Sequence, residues 1–533
     1  MNIQRIPEYL LRWAVTVGGI ALALYLSKSV GDGKIGLVAG ALFGIVGIIL
    51  VLVVREKIWV LVPIFWALYA RMPVFSLPFN PRELITLYVV LAFCTLIAFK
   101  VLRRPAAFSF IDVLFLVNCV WLLIALIRNP VGLEATESVR VGGRPYFEAF
   151  IGGIALWILG RSEGPLKLIR ALPFLVVGAL GIVFVANGIL YFRPELTPYF
   201  THIYSGFDTS AFTKLGNIDV GSAGDRYEIF RDIGKYMSVL LCAYSYPPHL
   251  LLPLRGRFYA MVGTGVCLLL SGFRSFLMYA GGMFALGTYF RRGVAKAAWF
   301  AVIAMFVVYI FLLGHGTVYR LPYAAQRALS FLPEALIPNK LDPLAVQSGT
   351  SSTNWRVEMW ILALTTNRYI DNHLLGDGFG FTKLQYNAIS AIQSERRALS
   401  DTETQETMAT VGDFHSGPVS SIRVVGYIGL ALTLALLVGL AIRAGRLIRR
   451  VQGTKFLQPT LFFCLPIVFE PFWYVFIFGG HAAVIPFAGF SLGMMKMLEA
   501  SFANWQLTQG SVNQAGIPGL NRELAPSPAL PAL

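Results

Sequence analysis

Gly412–Gly429, GDFHSGPVSSIRVVGYIG, runs a polar loop straight into a long apolar segment, and everything else in the chain is placed relative to that junction. His415 and Ser416 stand where the polar residues end. About a hundred residues of soluble-looking sequence precede the junction, and apolar runs long enough to span a bilayer flank it on both sides. The loop is therefore expected outside the membrane on one defined side, with His415 at the water–lipid boundary.

Working outward, the composition belongs to a multi-span membrane protein. Of 533 residues, 56% are hydrophobic and only 14% charged, more apolar surface than a soluble core can use. The formal charge of +16 would point to nucleic acid in a soluble protein. Here the basic clusters fall between apolar runs, where they set membrane orientation, so no nucleic-acid partner is expected. The five cysteines, Cys94, Cys119, Cys242, Cys267 and Cys464, all lie inside apolar runs and show neither metal-ligand spacing nor a disulfide framework. The N-terminus carries basic residues before an apolar run but no convincing cleavage site, and is read as a retained first span.

Apolar runs lie near 13–28, 35–54, 58–76, 83–99, 109–127, 146–160, 166–192, 233–248, 256–272, 275–290, 294–314, 417–442, 456–477 and 480–498. Pro63, Pro73 and Pro78 mark the third as a broken or re-entrant segment. The expected fold is an all-α polytopic membrane protein of about 12–14 transmembrane helices with a large helical extracytoplasmic loop. Basic residues occupy every second connection: Arg55 and Lys57; Lys100, Arg103 and Arg104; Arg161, Lys167 and Arg170; Arg255 and Arg257; Arg291, Arg292 and Lys296; and Arg443, Arg446, Arg449, Arg450 and Lys455. With fourteen spans these share one face, which should be cytoplasmic, leaving 193–232 and 315–416 outward.

Four regions follow: N-terminal membrane helices over 1–314, a periplasmic loop over 315–416, C-terminal membrane helices over 417–500, and a tail over 501–533. The tail is Pro- and Ala-rich from about 505 and is read as disordered. Inside the loop, TSSTNWRVEMWILALTTN (350–367) reads as a helix opened by Ser/Thr/Asn caps, and DNHLLGDGFGF (371–381) as a glycine-punctuated turn.

Chemistry is sought among residues that are costly where they stand. His415 can accept or donate a proton near neutral pH, and Gly426 and Gly429 behind it would let a neighbouring helix pack closely. The plainer alternative is an interfacial His on a glycine-rich span. Arg274, in LLLSGFRSFLMYAGG, sits between two apolar runs, where an arginine must pair, snorkel or face water. Its guanidinium fork matches phosphate oxygens. Arg356 falls in the first turn of the expected loop helix, where the helix dipole disfavours a cation, so it needs a partner outside that helix. Arg140 and Arg144 in 128–145, and Arg226 and Arg231 in 193–232, are further outward arginines, with Glu134, Glu137 and Glu148 as possible partners. No Asp-x-Asp pair, P-loop or His-Glu-x-x-His occurs, so the driving energy would have to arrive with the substrate. Glu470 and Asp112 are the main ionisable residues expected at mid-span, fewer than ion-coupled transport usually buries.

Taken together, these residues resemble the O-antigen ligase and O-antigen polymerase superfamily of bacterial envelope glycosyltransferases. His415-Ser416, nine residues, Gly426, two residues and Gly429 is similar to the ligase signature. Arg274 resembles the arginine opening the family's Arg-x-x-x-Leu motif, with Met278 in the last position. Arg356 with Trp360, then Gly376, Gly378 and Gly380, looks like the family's loop arginine and glycine turn. The likeness covers roughly 225–440. It implies a multi-pass protein of the bacterial inner membrane, its active-site loop extracytoplasmic, using neither metal nor cofactor. A glycan would pass, with inversion, from an undecaprenyl diphosphate donor to the hydroxyl of a lipid or glycan acceptor. His415 would orient or deprotonate that hydroxyl. Arg274 and Arg356 would hold the diphosphate, with Ser416, Arg226, Arg140 and Arg144 as further substrate contacts. A lipid-linked glycan transporter or flippase is the competing class.

Overall fold

The computed structural model describes residues 55–68, 79–98, 108–130, 142–203, 228–252, 256–332, 337, 339–380, 408–410 and 412–515. The expected runs 13–28 and 35–54 lie outside the described residues. Among those described, every regular element is helical and no strand forms. A 3-10 turn over Arg55–Val60 leads into α1 (Leu61–Trp66), followed by α2 (Pro81–Ala98), α3 (Phe110–Arg128), α4 (Arg144–Gly160) and α5 (Leu166–Phe192). Then come α6 (Thr197–Ile203), α7 (Glu228–Tyr244), α8 (Gly256–Leu270), α9 (Arg274–Arg292) and α10 (Val294–Leu313). The polar region contributes α11 (Tyr323–Leu329) and α12 (Pro343–Thr365), and the chain continues into α13 (Gly417–Arg450), α14 (Leu457–Phe472) and α15 (His481–Ala515).

Among the described residues, six helices are long and apolar enough to cross a bilayer: Phe110–Arg128, Leu166–Leu190, Val294–Leu313, Gly417–Arg450, Leu457–Ile477 and His481–Gln509. The protein is an all-α membrane protein. The described part of the proline-rich third run, up to residue 68, contributes the short helix α1, and Ile58, Trp59 and Val62 are buried in the main core. The C-terminal helix continues to Ala515, past the expected boundary at 500. Trp505 packs on Phe502 and Phe456 there, so apolar contacts extend the helix beyond the membrane-length run.

Small residues hold the bundle together where α4 crosses α15. A Cβ on Gly152 would come within 2.6 Å of Pro486 Cα, and one on Gly489 would overlap the Gly152 backbone. Only glycine permits that approach, which replaces the solvent-driven hydrophobic force that is missing between helices in lipid. Ion pairs tie the helix ends. Lys496 meets Asp112 at 2.6 Å, and Arg443 meets Glu499 at 2.6 Å while donating to Ser109 Oγ at 2.9 Å. Asp112 is thus an end-of-helix residue, in a capping box with Ser109, rather than a mid-span charge. At the start of α4, Arg144 is buried. It donates to both Glu83 carboxylate oxygens at 3.0 Å and lies 3.6 Å from Glu148, which also pairs with Arg82 at 2.7 Å.

Candidate active site

The segment quoted at the outset folds as a helix that breaks. Ser416 is buried and caps α13, its hydroxyl accepting from Val419 N at 3.5 Å. The helix runs to Gly426, whose φ of 70° and ψ of −177° interrupt it. An interruption inside a spanning segment strands backbone groups that lipid cannot satisfy. The glycine-rich turn 371–380 supplies the partners. Asp377 N donates to Arg423 O at 2.8 Å and Gly378 N to Val424 O at 2.9 Å, while Tyr427 N donates to His373 O at 2.8 Å and Ile428 N to Leu374 O at 3.4 Å. Trp121 Nε1 from α3 donates to Val425 O at 2.8 Å. The loop therefore stands in for the missing helical turn.

Side chains lock the same joint. Arg423 is buried, reaches Gly380 O at 2.9 Å and Gly378 O at 3.3 Å, and pairs with Asp377 at 3.4 Å. The Asp377 carboxylate also accepts from Asp371 N at 2.8 Å and Asn372 N at 3.0 Å. The glycine expected to admit a neighbouring helix, Gly426, instead admits a loop.

His415 sits on the short connection that enters this broken helix. Its φ of 51° is left-handed, an uncommon conformation for a residue with a Cβ. Neighbours on several elements hold it there. Its Nδ1 lies 2.9 Å from Asp413 Oδ1, its ring is 5.3 Å from that of Phe478, and Trp355 meets it edge-on at 6.3 Å. Trp360 Nε1 on α12 donates to Phe414 O at 2.8 Å, and Phe414 is fully buried in a small core with Met359, Ala363, Tyr369 and Ile370. A carboxylate only accepts, so Nδ1 of the neutral ring carries the proton and Nε2 keeps its lone pair. That is the tautomer a general base requires.

One cavity of ≈ 540 Å³ brings the distant residues together. His415, Arg274 and Arg356 all line it, with Thr353 beside them and Met278, Phe331, Phe476 and Phe478 as apolar wall. Arg231 and Arg327 line it as well. Arg274 is the first residue of α9, and both terminal nitrogens lie 3.5 Å from Thr353 Oγ1. Among the described residues, no carboxylate ion-pairs with Arg274 or Arg356, and Arg356 Nε is buried without a hydrogen-bond partner. Burial first, and then Arg327, push the Arg274 pKa down; burial, Arg274 and Arg327 do the same at Arg356, against an opposing pull from Asp413. Burial also lowers Arg327. These shifts express one condition: cations gathered in a partly dry cavity with too little negative charge. An anion entering it would relieve both the desolvation and the mutual repulsion.

Several sequence expectations change. Arg356 is not in a first turn, because α12 begins at Pro343. Asp342 caps that end by accepting from Leu344 N at 2.8 Å, and the Asp-Pro pair is a stronger start signal than the Ser/Thr cluster. Its exposure to the cavity, not a dipole mismatch, is what leaves Arg356 wanting a partner. Ser416 is a buried helix cap, its hydroxyl oxygen accepting from Val419 N, and it is absent from the cavity wall. Arg144 is consumed by Glu83 and Glu148 and is absent from the cavity wall. Arg140 and Arg226 lie outside the described residues. Arg327 went unremarked because α11 is short and its sequence, YAAQRAL, resembles any solvated helix. Arg231, one of the further outward arginines, lines the cavity from the first turn of α7 while paired with Asp232 at 3.0 Å. Among the described residues, no group of three or more His, Cys, Asp or Glu side chains is placed to hold a metal ion. Compared with family models and with curated proteins, the chain matches none.

Proposed function

We propose that the protein is a metal-independent, inverting glycosyltransferase that moves a glycan from an undecaprenyl diphosphate donor to the hydroxyl of a lipid or glycan acceptor. The observation that carries this reading is the cavity shared by His415, Arg274, Arg356, Arg231 and Arg327. A diphosphate is the anion that such a cluster suits, since guanidinium forks bind its oxygens in pairs. Charge developing on the leaving diphosphate would be offset by arginines already in position. His415, its tautomer set by Asp413, would take the acceptor proton through Nε2 as the hydroxyl attacks the anomeric carbon from the face opposite the departing oxygen. In this reading the protein is a bacterial inner-membrane enzyme with the loop outside, and the isoprenoid chain remains among membrane lipids while the diphosphate reaches the cavity.

The test uses purified protein in lipid bilayer discs with a polyprenyl diphosphate-linked glycan and an acceptor, following release of lipid diphosphate with and without chelator. Acceptor-dependent release that survives chelation and is lost in His415→Ala is the expected result. Release that stops on chelation, or that is undiminished in a normally inserted His415→Ala protein, would overturn the proposal.

A further inference from the structure

A second cavity, of ≈ 340 Å³, adjoins the first and shares Phe478 with it. Lys235 of α7 and Glu470 of α14 both open onto this inner chamber. The two charges are close enough to act on each other, yet among the described residues they form no ion pair. Lys235 instead lies over the Tyr279 ring at 5.1 Å and near that of Tyr236 at 5.9 Å. Charged groups inside a helical bundle in lipid are expensive unless something satisfies them. Here both border the same void, so a group entering it can satisfy them.

Chemistry narrows what that group is. An isoprenoid or acyl chain would leave both charges without partners. A hydroxyl satisfies both, accepting from the ammonium and donating to the carboxylate. The remaining wall is largely aromatic, with Trp66, Tyr236, Phe276, Tyr279 and Trp473 offering flat apolar faces. A pyranose ring combines hydroxyls on its rim with C–H groups on its faces. The volume also falls within the roughly 300–1,000 Å³ of small-molecule sites. We infer that the inner chamber binds one sugar ring, its hydroxyls bridging Lys235 and Glu470 and its faces lying against the aromatic wall. Identifying that sugar as part of the transferred glycan rests on the proposed function; the binding itself does not.

Saturation-transfer NMR on the full-length protein in lipid bilayer discs tests the inference. The probes are methyl glycosides of hexoses, N-acetylhexosamines, deoxyhexoses and hexuronates, with no diphosphate and no acceptor present. At least one should take up saturation on its ring protons. That signal should be lost in Glu470→Gln and Lys235→Met, and retained in Arg193→Ala, an exposed residue that lines neither cavity. Val239→Phe fills the chamber from α7 without touching either charge and should abolish the signal too; melting curves identify any variant that fails to fold. Silence from every glycoside with the unaltered protein, or a signal indifferent to both Glu470→Gln and Val239→Phe, would overturn the assignment. Sugar binding without any glycan transfer would remove the transferase proposal alone, whereas transfer without sugar binding would remove only the chamber.

Discussion

Gly426→Ala puts the broken helix to a direct test. A Cβ at this position would overlap the Leu374 carbonyl and come within 2.5 Å of Leu375 N. The backbone conformation, φ 70° and ψ −177°, is also one that is essentially reserved for glycine, and holding alanine there costs about 1–3 kcal/mol. The chain has one way out, which is to continue the helix through position 426. Tyr427 N and Ile428 N would then recover Arg423 O and Val424 O inside the helix. Asp377 N, Gly378 N, His373 O and Leu374 O would lose their partners, at about 1 kcal/mol each. The penalty along that route is roughly 4 kcal/mol, a large share of the stability of many domains. Turn 371–380 would be displaced, and His415 would move with the re-aimed start of α13.

The assay is thermal unfolding of the purified protein together with the rate of proteolysis after residue 370. Gly439→Ala on the same helix is the control, since a Cβ there meets only side-chain atoms at 3.7 and 3.8 Å. That control should be neutral or gain up to about 1 kcal/mol from helix propensity. Gly426→Ala should melt well below it and cut rapidly in the turn. Indistinguishable melting and protection for the two variants would refute the account of the joint.

The other expected outcomes separate chemistry from scaffold. His415→Ala should insert and melt normally while lipid diphosphate release falls by about 10²–10⁴. Arg274→Lys keeps the charge but loses the fork, and should slow release by one to two orders of magnitude, about 1.4–2.7 kcal/mol in the barrier; an unchanged rate would show that the guanidinium geometry is idle. Arg144→Met should behave oppositely, lowering stability by about 3–5 kcal/mol because Glu83 loses its directly paired buried cation while Glu148 keeps Arg82, with turnover per folded molecule unchanged. Asp413→Asn exchanges an acceptor-only carboxylate for an amide that can donate to Nδ1 and so favour the other His415 tautomer, and should lower release without altering binding of a non-hydrolysable diphosphate lipid, read as kcat falling at constant KM.

Among the described residues, the six membrane-length helices were legible from apolar run length, because a span must satisfy its own backbone and face lipid with carbon. Arg274 and His415 stand out in the sequence as polar groups beside apolar runs, whereas Arg356 stands out on a first-turn argument that the start of α12 at Pro343 removes, although all three line one cavity. Arg144 misled because a loop arginine and a buried helix-start arginine look alike until Glu83, on another helix, comes into contact with it. The capping role of Ser416 was not legible, because a cap hydroxyl and a substrate-facing hydroxyl have the same neighbours in the chain. Asp377 and Arg423 carried no local signal at all, since their value lies in sealing a break in a helix.

Composition and run length determined by themselves that the chain is a bundle of membrane helices, since burial of apolar surface in lipid depends on what each segment contains and not on where its neighbours lie. Convergence was a tertiary matter. Which arginines share a cavity, which one is neutralised, and how a helix survives an interruption at Gly426 depend on groups far apart in sequence meeting within hydrogen-bonding distance. Those energies act over a few ångströms, and only the packed chain decides which atoms come that close.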